Sequence, residues 1–579
     1  MSSSLKPDEF KQNNQDNNYS LLNVIRDQEI RQHSSIQDKM VQSVFGVWDY
    51  IIMVATMVLS VLIGIYFRFS GGKQKTNEEY LLADRNMSIF PVAVSLVASF
   101  MSAITLMGVS AENYYHVFFG LQKTSTYEYL ELRFGPNIRM LTSLTYTLQM
   151  ILYNGIVLYA PAIALEAVTG LDRLISILVV GLACTFYSSL GGMKAVLFTD
   201  LLQMFLMFAA VTTIPIFAAI QMGGFGNIFS IAKEGGRLDF SNISPDPTER
   251  HTIWSLGIGG FFTYLSLYAV NHTQVQRLMT VSTVEKSQKC LLWSWPVTVL
   301  LSFVTCLSGL AMYAVYKDCD PFVSKKISAI DQLMPYYVVD AMRSVPGLAG
   351  LFVAGIFSAS LSTISASCNA LAAVTLTDYV NRWCKIKEEY IIWLTKLAAF
   401  AYGLVFLVLA FLAQYLGGVL QAALTIFGAV GGPLFGVFTL GMFTTYATEM
   451  GTSVALISGL SMTLWTSFGG PRPSPVKLPL NVDGCTNFTA PLAMTSNTDY
   501  FYLYKLSYMW NSPLGFLWVF IVGSIISLVW RQPQPWMRAG KRHPDPKLFT
   551  PPLANWLRRK YQIKEEVQCE LLKQDGDFK

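Results

Sequence analysis

Leu361-Ser362-Thr363-Ile364-Ser365-Ala366-Ser367 lies inside a stretch from Ser344 to Thr377 that contains no charged residue. An uncharged run of this length is long enough to cross a bilayer as a helix, which needs about 20 apolar residues. Within it, Ser362 and Thr363 follow Ala359 by three and four positions. Two hydroxyls and a backbone carbonyl therefore share one helix face. Neutral, hard oxygens of this kind suit a monovalent cation that is held weakly and released in every cycle. The same small hydroxyls also let helices pack closely or bond back to their own backbone, and the run alone leaves both readings open.

The rest of the chain decides its class. Of 579 residues, 52% are hydrophobic and 14% charged, with a mean hydropathy of +0.40. Soluble domains carry about a quarter charged residues. The apolar residues here collect into blocks that predict twelve membrane spans: 45–67, 88–111, 140–165, 171–193, 197–222, 252–273, 290–316, 346–375, 390–413, 417–443, 451–469 and 510–530. Gly191-Gly192, Gly259-Gly260, Gly417-Gly418 and Gly431-Gly432-Pro433 interrupt them. Such breaks survive in a membrane where protein or a watery cavity takes up the freed backbone groups. The expected class is an all-α polytopic membrane protein, with residues 1–44 as a disordered polar tail, 45–530 as the membrane domain and 531–579 as a cytoplasmic tail. The spans show no paired carboxylates, HExxH or nucleophile–histidine set, so an enzyme is not expected. The net charge of +5 points to no nucleic-acid partner, because the basic residues lie in short loops.

Those loops report orientation. Arg531, Arg538, Lys541 and Arg542 follow the last span closely, which makes the C-terminal tail cytoplasmic. Counting back leaves 223–251, 317–345 and 470–509 outside, with the glycosylation sequons at Asn242 and Asn487. Cys319 and Cys485 fall in two of these loops and can pair if both face an oxidising compartment. Cys184, Cys290, Cys306 and Cys368 fall in spans and read as small buried hydrophobes. The count then fails. Arg68, Lys73, Lys75 and Arg85 precede span 88–111, and Lys123, Arg133 and Arg139 follow it. Both loops should be cytoplasmic, yet one crossing separates them. Asp200 reads as a helix cap or anchor at the cytoplasmic face, Lys396 as a snorkelling lysine, and His272 as a solvated loop histidine or a gate-tuning group.

Three motifs resemble the sodium/solute symporter family. Gly191-Gly192-Met193-Lys194-Ala195-Val196 with Thr199-Asp200 and Gln203 is similar to one signature. Asn271-His272-Thr273-Gln274-Val275-Gln276-Arg277 is similar to a second, with His272 where glutamine is usual. Leu361-Ser362-Thr363 followed by Asn369-Ala370-Leu371-Ala372-Ala373-Val374-Thr375 resembles the sodium-site helix. The wording is nearest the branch of sodium-coupled monocarboxylate, multivitamin and iodide transporters, and the resemblance runs from Phe45 to Trp530.

The resemblance implies an inverted repeat of five plus five helices with additional terminal helices, and substrate and ion near the midplane beside broken helices. It implies sodium as coupling ion, held by the carbonyls of Ala98, Met101 and Ala359 and the hydroxyls of Ser362 and Thr363. It implies substrate contacts from Phe100, Ser102, Thr105, Tyr153 and Tyr264, and no other cofactor. Its branch has thirteen spans. The absent one is the second helix of the first repeat, near His116–Leu121, where the charge count also fails; a skipped exon or gene-prediction error accounts for such a gap more simply than an evolved deletion. The expected function is plasma-membrane symport of sodium with a small organic anion, foremost a monocarboxylate. The alternatives are a vitamin or iodide transporter, or a non-transporting variant lacking that helix.

Overall fold

The structure, a computed structural model, describes residues 46–69, 77–99, 125–190, 192–238, 242–327, 330–342, 345–383, 387–414, 419–473, 481, 484–485, 500–530, 532–538 and 543–561. A helix stands at each of the twelve expected positions. Eight helices among the described residues are long and apolar enough to cross a membrane, and Ile89–Ala98, Arg173–Phe186 and Ser255–Val270 are shorter apolar helices. The remaining position, 451–469, holds Glu449–Phe468.

We label the helices that position the site α1 (Val47–Phe69), α2 (Ile89–Ser99), α3 (Thr126–Arg133), α4 (Pro136–Thr169), α5 (Arg173–Leu190) and α6 (Met193–Met222). Next come α7 (Gly260–Leu265) between π turns at Ser255–Gly259 and Ser266–Val270, then α8 (His272–Leu278), α9 (Val284–Val315), α10 (Leu348–Val374) and α11 (Glu388–Ala413). The set closes with α12 (Val419–Ile426), α13 (Gly432–Phe443), α14 (Glu449–Phe468), α15 (Asn511–Val529) and α16 (Pro551–Tyr561).

Sequence chemistry explains the ends of these elements. Pro136 supplies the first turn of α4, where its missing N–H is no loss, and Gly170 ends it with φ 71°. Ser125 and Glu128 form a reciprocal capping box at the start of α3. The predicted span 252–273 is broken: Asn271 is extended at φ −70° and ψ 121°, and its side chain accepts from Thr273 N to start α8.

At the centre of the fold α10 runs antiparallel to α6. A Cβ on Gly355 would lie 2.4 Å from that of Ala210, so only glycine allows the two backbones this close. α10 also packs on α4, α5 and α1, and almost every side chain from Ser358 to Val374 is buried. Cys319 and Cys485 form a disulfide that joins the loops carrying them.

Candidate functional site

The hydroxyl run of α10 faces α6 and α2. Ser362 is fully buried and its Oγ donates to Asp200 Oδ1 at 2.6 Å; Thr363 Oγ1 donates to the Ala359 carbonyl at 3.1 Å. Each hydroxyl has one proton and two acceptor lone pairs. With each proton directed to an oxygen acceptor, any further partner of these groups meets an acceptor oxygen. That arrangement suits a cation, not an anion.

Asp200 is the hub. Its Oδ2 accepts from Ser95 Oγ at 2.5 Å and from Arg277 Nη2 at 2.8 Å, while Arg277 Nη1 donates to Ser95 O at 3.0 Å. Both side chains of the Asp200–Arg277 ion pair are completely buried. One carboxylate thus joins α2, α6, α8 and α10. The expectation of a capping residue at the cytoplasmic face is corrected: α6 begins at Met193 after Gly192, so Asp200 lies inside the helix and anchors side chains rather than the helix end.

Ala98 is buried among Val94, Val97, Met204, Met207 and Leu301, and Ala359 packs against the same cluster. The structure therefore brings Ala98, Ala359, Ser362 and Thr363 to the α2–α6–α10 contact. Met101, Phe100, Ser102 and Thr105, and the segment at His116–Leu121, lie outside the described residues. Of the two expected substrate tyrosines, Tyr153 meets Phe427 edge-on with ring centroids 4.4 Å apart. Tyr264 is buried and stacks along Tyr268. Both belong to broken or long central helices, and each has an aromatic neighbour that a core residue would also have.

At the end of the bundle that the basic loops assign to the cytoplasm lies α8, all of whose side chains are buried. His272 is not solvated. Its Nδ1 accepts from Thr126 N at 3.3 Å, and its ring packs beside Tyr127 and Tyr146. Tyr146 hydroxyl and Thr273 Oγ1 are 2.7 Å apart. Beside them Arg139 pairs with Asp378 and with Glu131, and Ser125 Oγ donates to Asp378 Oδ2 at 2.9 Å. Arg133 and Arg139, which served as loop charges in the orientation count, are thus structural, as is Arg277. Lys396 lies with its ammonium 5.5 Å from the Tyr80 ring centroid, toward this same end.

Sequence reasoning missed the Asp200–Arg277–Ser95 set and the Arg139–Asp378 pair. The available signal was a carboxylate within an apolar span, which is stable there only with a partner. At the outer end, Asn242 is exposed and its Nδ2 donates to Glu249 Oε2 at 2.8 Å; Asn487 lies outside the described residues.

Comparison with known proteins agrees with this geometry. Residues 116–459 match the Sodium:solute symporter family. A putative sodium-dependent multivitamin transporter of Drosophila melanogaster is 46% identical over 561 residues, covering 89% of this chain and 93% of that protein. Human sodium-coupled monocarboxylate transporter 1 is 41% identical over 534 residues, covering 84% and 87%. The rabbit (Oryctolagus cuniculus) sodium-dependent multivitamin transporter is 39% identical over 529 residues, covering 84% and 83%. A solved Na+-coupled sialic acid symporter in a substrate-bound outward-open state aligns with TM-score 0.66 and 22% identity, covering 84% of this chain and 98% of its own, which speaks to the fold.

Proposed function

Because the chain belongs to the sodium:solute symporter family, with sodium as coupling ion, we propose that it carries a small organic anion, foremost a monocarboxylate, across the plasma membrane by alternating access. Sodium would be held by the Ala98, Met101 and Ala359 carbonyls and the Ser362 and Thr363 hydroxyls. The observation that carries this is the direction of the two hydroxyl protons, toward Asp200 and Ala359, so that both groups meet any further partner as acceptors, as a cation requires.

The substrate reading rests on charge. Spans 88–111, 252–273 and 346–375 contain no Lys or Arg, and nearby Arg277 is neutralised by Asp200. An anion among Phe100, Ser102, Thr105, Tyr153 and Tyr264 would depend on bound sodium and the positive ends of broken helices. Ion and anion then need each other, and inward sodium supplies about 2.3 kcal/mol per charge per 100 mV. The human relative is named for monocarboxylates, and the insect and rabbit relatives are named for vitamins.

Uptake of labelled monocarboxylates, vitamins and iodide, with and without sodium, tests the reading. Thr363→Ala should raise half-saturating sodium several-fold at unchanged surface expression. Unaltered sodium dependence in the Ser362→Ala, Thr363→Ala double variant would sink the ion site. For orientation, endoglycosidase should shift gel mobility, and Asn242→Gln with Asn487→Gln should abolish the shift. The Cys319–Cys485 disulfide supports placing both loops on the oxidising side.

A second reading, that this form is inactive for want of one helix, is favoured by a specific contact pattern. Met87 N donates to Thr280 O and Gln276 Nε2 to Leu81 O, while Thr126 N donates to His272. Residues 81–87 and 125–133 therefore share the cytoplasmic end, with α2 between them. Returning an apolar segment of about 20 residues between Tyr115 and Leu121 should then restore surface delivery and uptake. Robust sodium-driven uptake by the unaltered chain would overturn this second reading.

A further inference from the structure

The chain beyond the last span folds back onto the cytoplasmic end. Arg133, at the end of α3, is completely buried and meets no carboxylate among the described residues. Its Nε donates to Gly441 O at 3.0 Å and its Nη2 to Thr444 O at 2.7 Å, which are carbonyls freed at the C-terminal end of α13. Its Nη1 donates to Gln534 Oε1 at 3.1 Å, and the guanidinium lies over the rings of Phe134 and Phe549 at 4.7 and 5.1 Å. Gln534 and Phe549 belong to the C-terminal segment. That segment adds further bonds: Gln534 Nε2 to Ala447 O at 2.8 Å, Tyr129 hydroxyl to Leu548 O at 3.2 Å, and Thr550 N to Met442 O at 3.2 Å. Residues 532–538 and 543–550 form a strap over α3, the helix whose other end holds His272 through Thr126.

The strap leads straight into α16. Thr550 is bonded to the last turn of α13, so α16 begins level with the cytoplasmic end of a membrane span. α16 buries Ala554 and Leu557 against the protein and contains no acidic residue. Trp556 is 49% exposed and Tyr561 41%. The Lys560 ammonium lies 4.6 Å from the Trp556 ring and 5.6 Å from the Tyr561 ring, so base and aromatics share a face. Arg559 is exposed beside them. Indole and phenol rings gain where an apolar body meets acyl chains and the polar tip meets water. Clustered bases just cytoplasmic of a span are attracted to anionic headgroups.

We propose that α16 is a docking surface for anionic phospholipids of the cytoplasmic leaflet, and that this contact holds the strap on α3 and so steadies the closed cytoplasmic gate. A soluble polyanion would satisfy the charges but leave the Trp556 ring in water, which is why the leaflet is the better occupant. The inference is independent of the substrate and of whether this form transports.

Hydrogen exchange on the full chain in nanodiscs tests it. Replacing phosphatidylcholine by a mixture with phosphatidylserine should slow exchange several-fold in peptides spanning 551–561 and 125–134. The slowing should vanish in Arg558→Gln, Arg559→Gln, Lys560→Gln and weaken in Trp556→Ala; neither set touches Ala554 or Leu557, so α16 keeps its seat. Equal exchange in the two discs, or an undiminished response in the triple variant, would overturn the proposal. An equal slowing by inositol hexakisphosphate in pure phosphatidylcholine would overturn the leaflet as the occupant. Slowing confined to 551–561 would overturn the link to the gate.

Discussion

The two ends of the central pathway are built from different chemistry. At the cytoplasmic end Arg133, Arg277, His272 and Asp378 are buried and their bonds join segments far apart in the chain. At the outer end Arg250 donates to Gln421 and lies over Tyr508, and His251 meets the Tyr508 hydroxyl at 3.0 Å, in contacts open to water. Charges in a low-dielectric interior interact strongly and are costly to separate, whereas exposed ones are screened. The inner end therefore behaves as an all-or-none closure. The outer end can rearrange in small steps.

The largest effect should come from breaking the inner end at its hub. Removing one partner of a buried pair leaves the other charge uncompensated and costs about 3–5 kcal/mol. Arg277→Ala should abolish surface delivery, and Asp200→Asn combined with Arg277→Gln should recover much of it, because no net charge is then stranded. Surface biotinylation checks both. Full delivery of Arg277→Ala would mean that the pair does not hold the four helices together.

The helices of both ends were legible because hydropathy is local: an apolar block of sufficient length says the same thing wherever it folds. The break in 252–273 was signalled by Gly259-Gly260, although the chain actually turns extended at Asn271. Pairing was not legible. Asp200 and Arg277 are 77 residues apart, and Arg139 and Asp378 are 239 apart. A lysine or arginine in a short polar segment reads as solvated unless its distant partner is known, so Arg133 and Arg139 were read as markers of topology. Basic residues made 531–579 read as a tail, and the docking of residues 532–538 and 543–550 depends on Arg133, again far off in sequence. Ala98, Ala359, Ser362 and Thr363 lie at the α2–α6–α10 contact, and their role toward sodium is the proposal made above.

A middle effect is expected from Asp378, which holds Arg139 and Ser125 at the edge of the same closure. A hydrogen bond to a charged group contributes about 1.5–3 kcal/mol, or roughly tenfold and upward in an opening equilibrium. Asp378→Asn should leave the protein folded and delivered. A cysteine introduced at Thr273, buried beneath this network, should then react at least several-fold faster with a thiol reagent applied from the cytoplasmic side. An unchanged labelling rate would show that α8 is held by Thr126 and Tyr146 alone.

The smallest effect belongs to His251, at the outer end. Burial, and then the positive charge of Arg250, hold its imidazole below the ordinary value of 6.5. The native state thus binds fewer protons there than the unfolded chain, so the stabilising contribution is full above pH 6.5 and declines as pH falls through and below it. The wild-type protein in detergent should melt slightly lower at acid pH than at neutral pH, in part for this reason. In His251→Gln that part disappears, while the glutamine can still reach the Tyr508 hydroxyl. The difference should be small, because the group is near water and the loop can yield without disturbing α8. If His251→Gln instead removed a large acid sensitivity, or exposed the Thr273 cysteine from the cytoplasmic side, the two ends would be tightly coupled. The outer end would then have to be counted as part of the same closure.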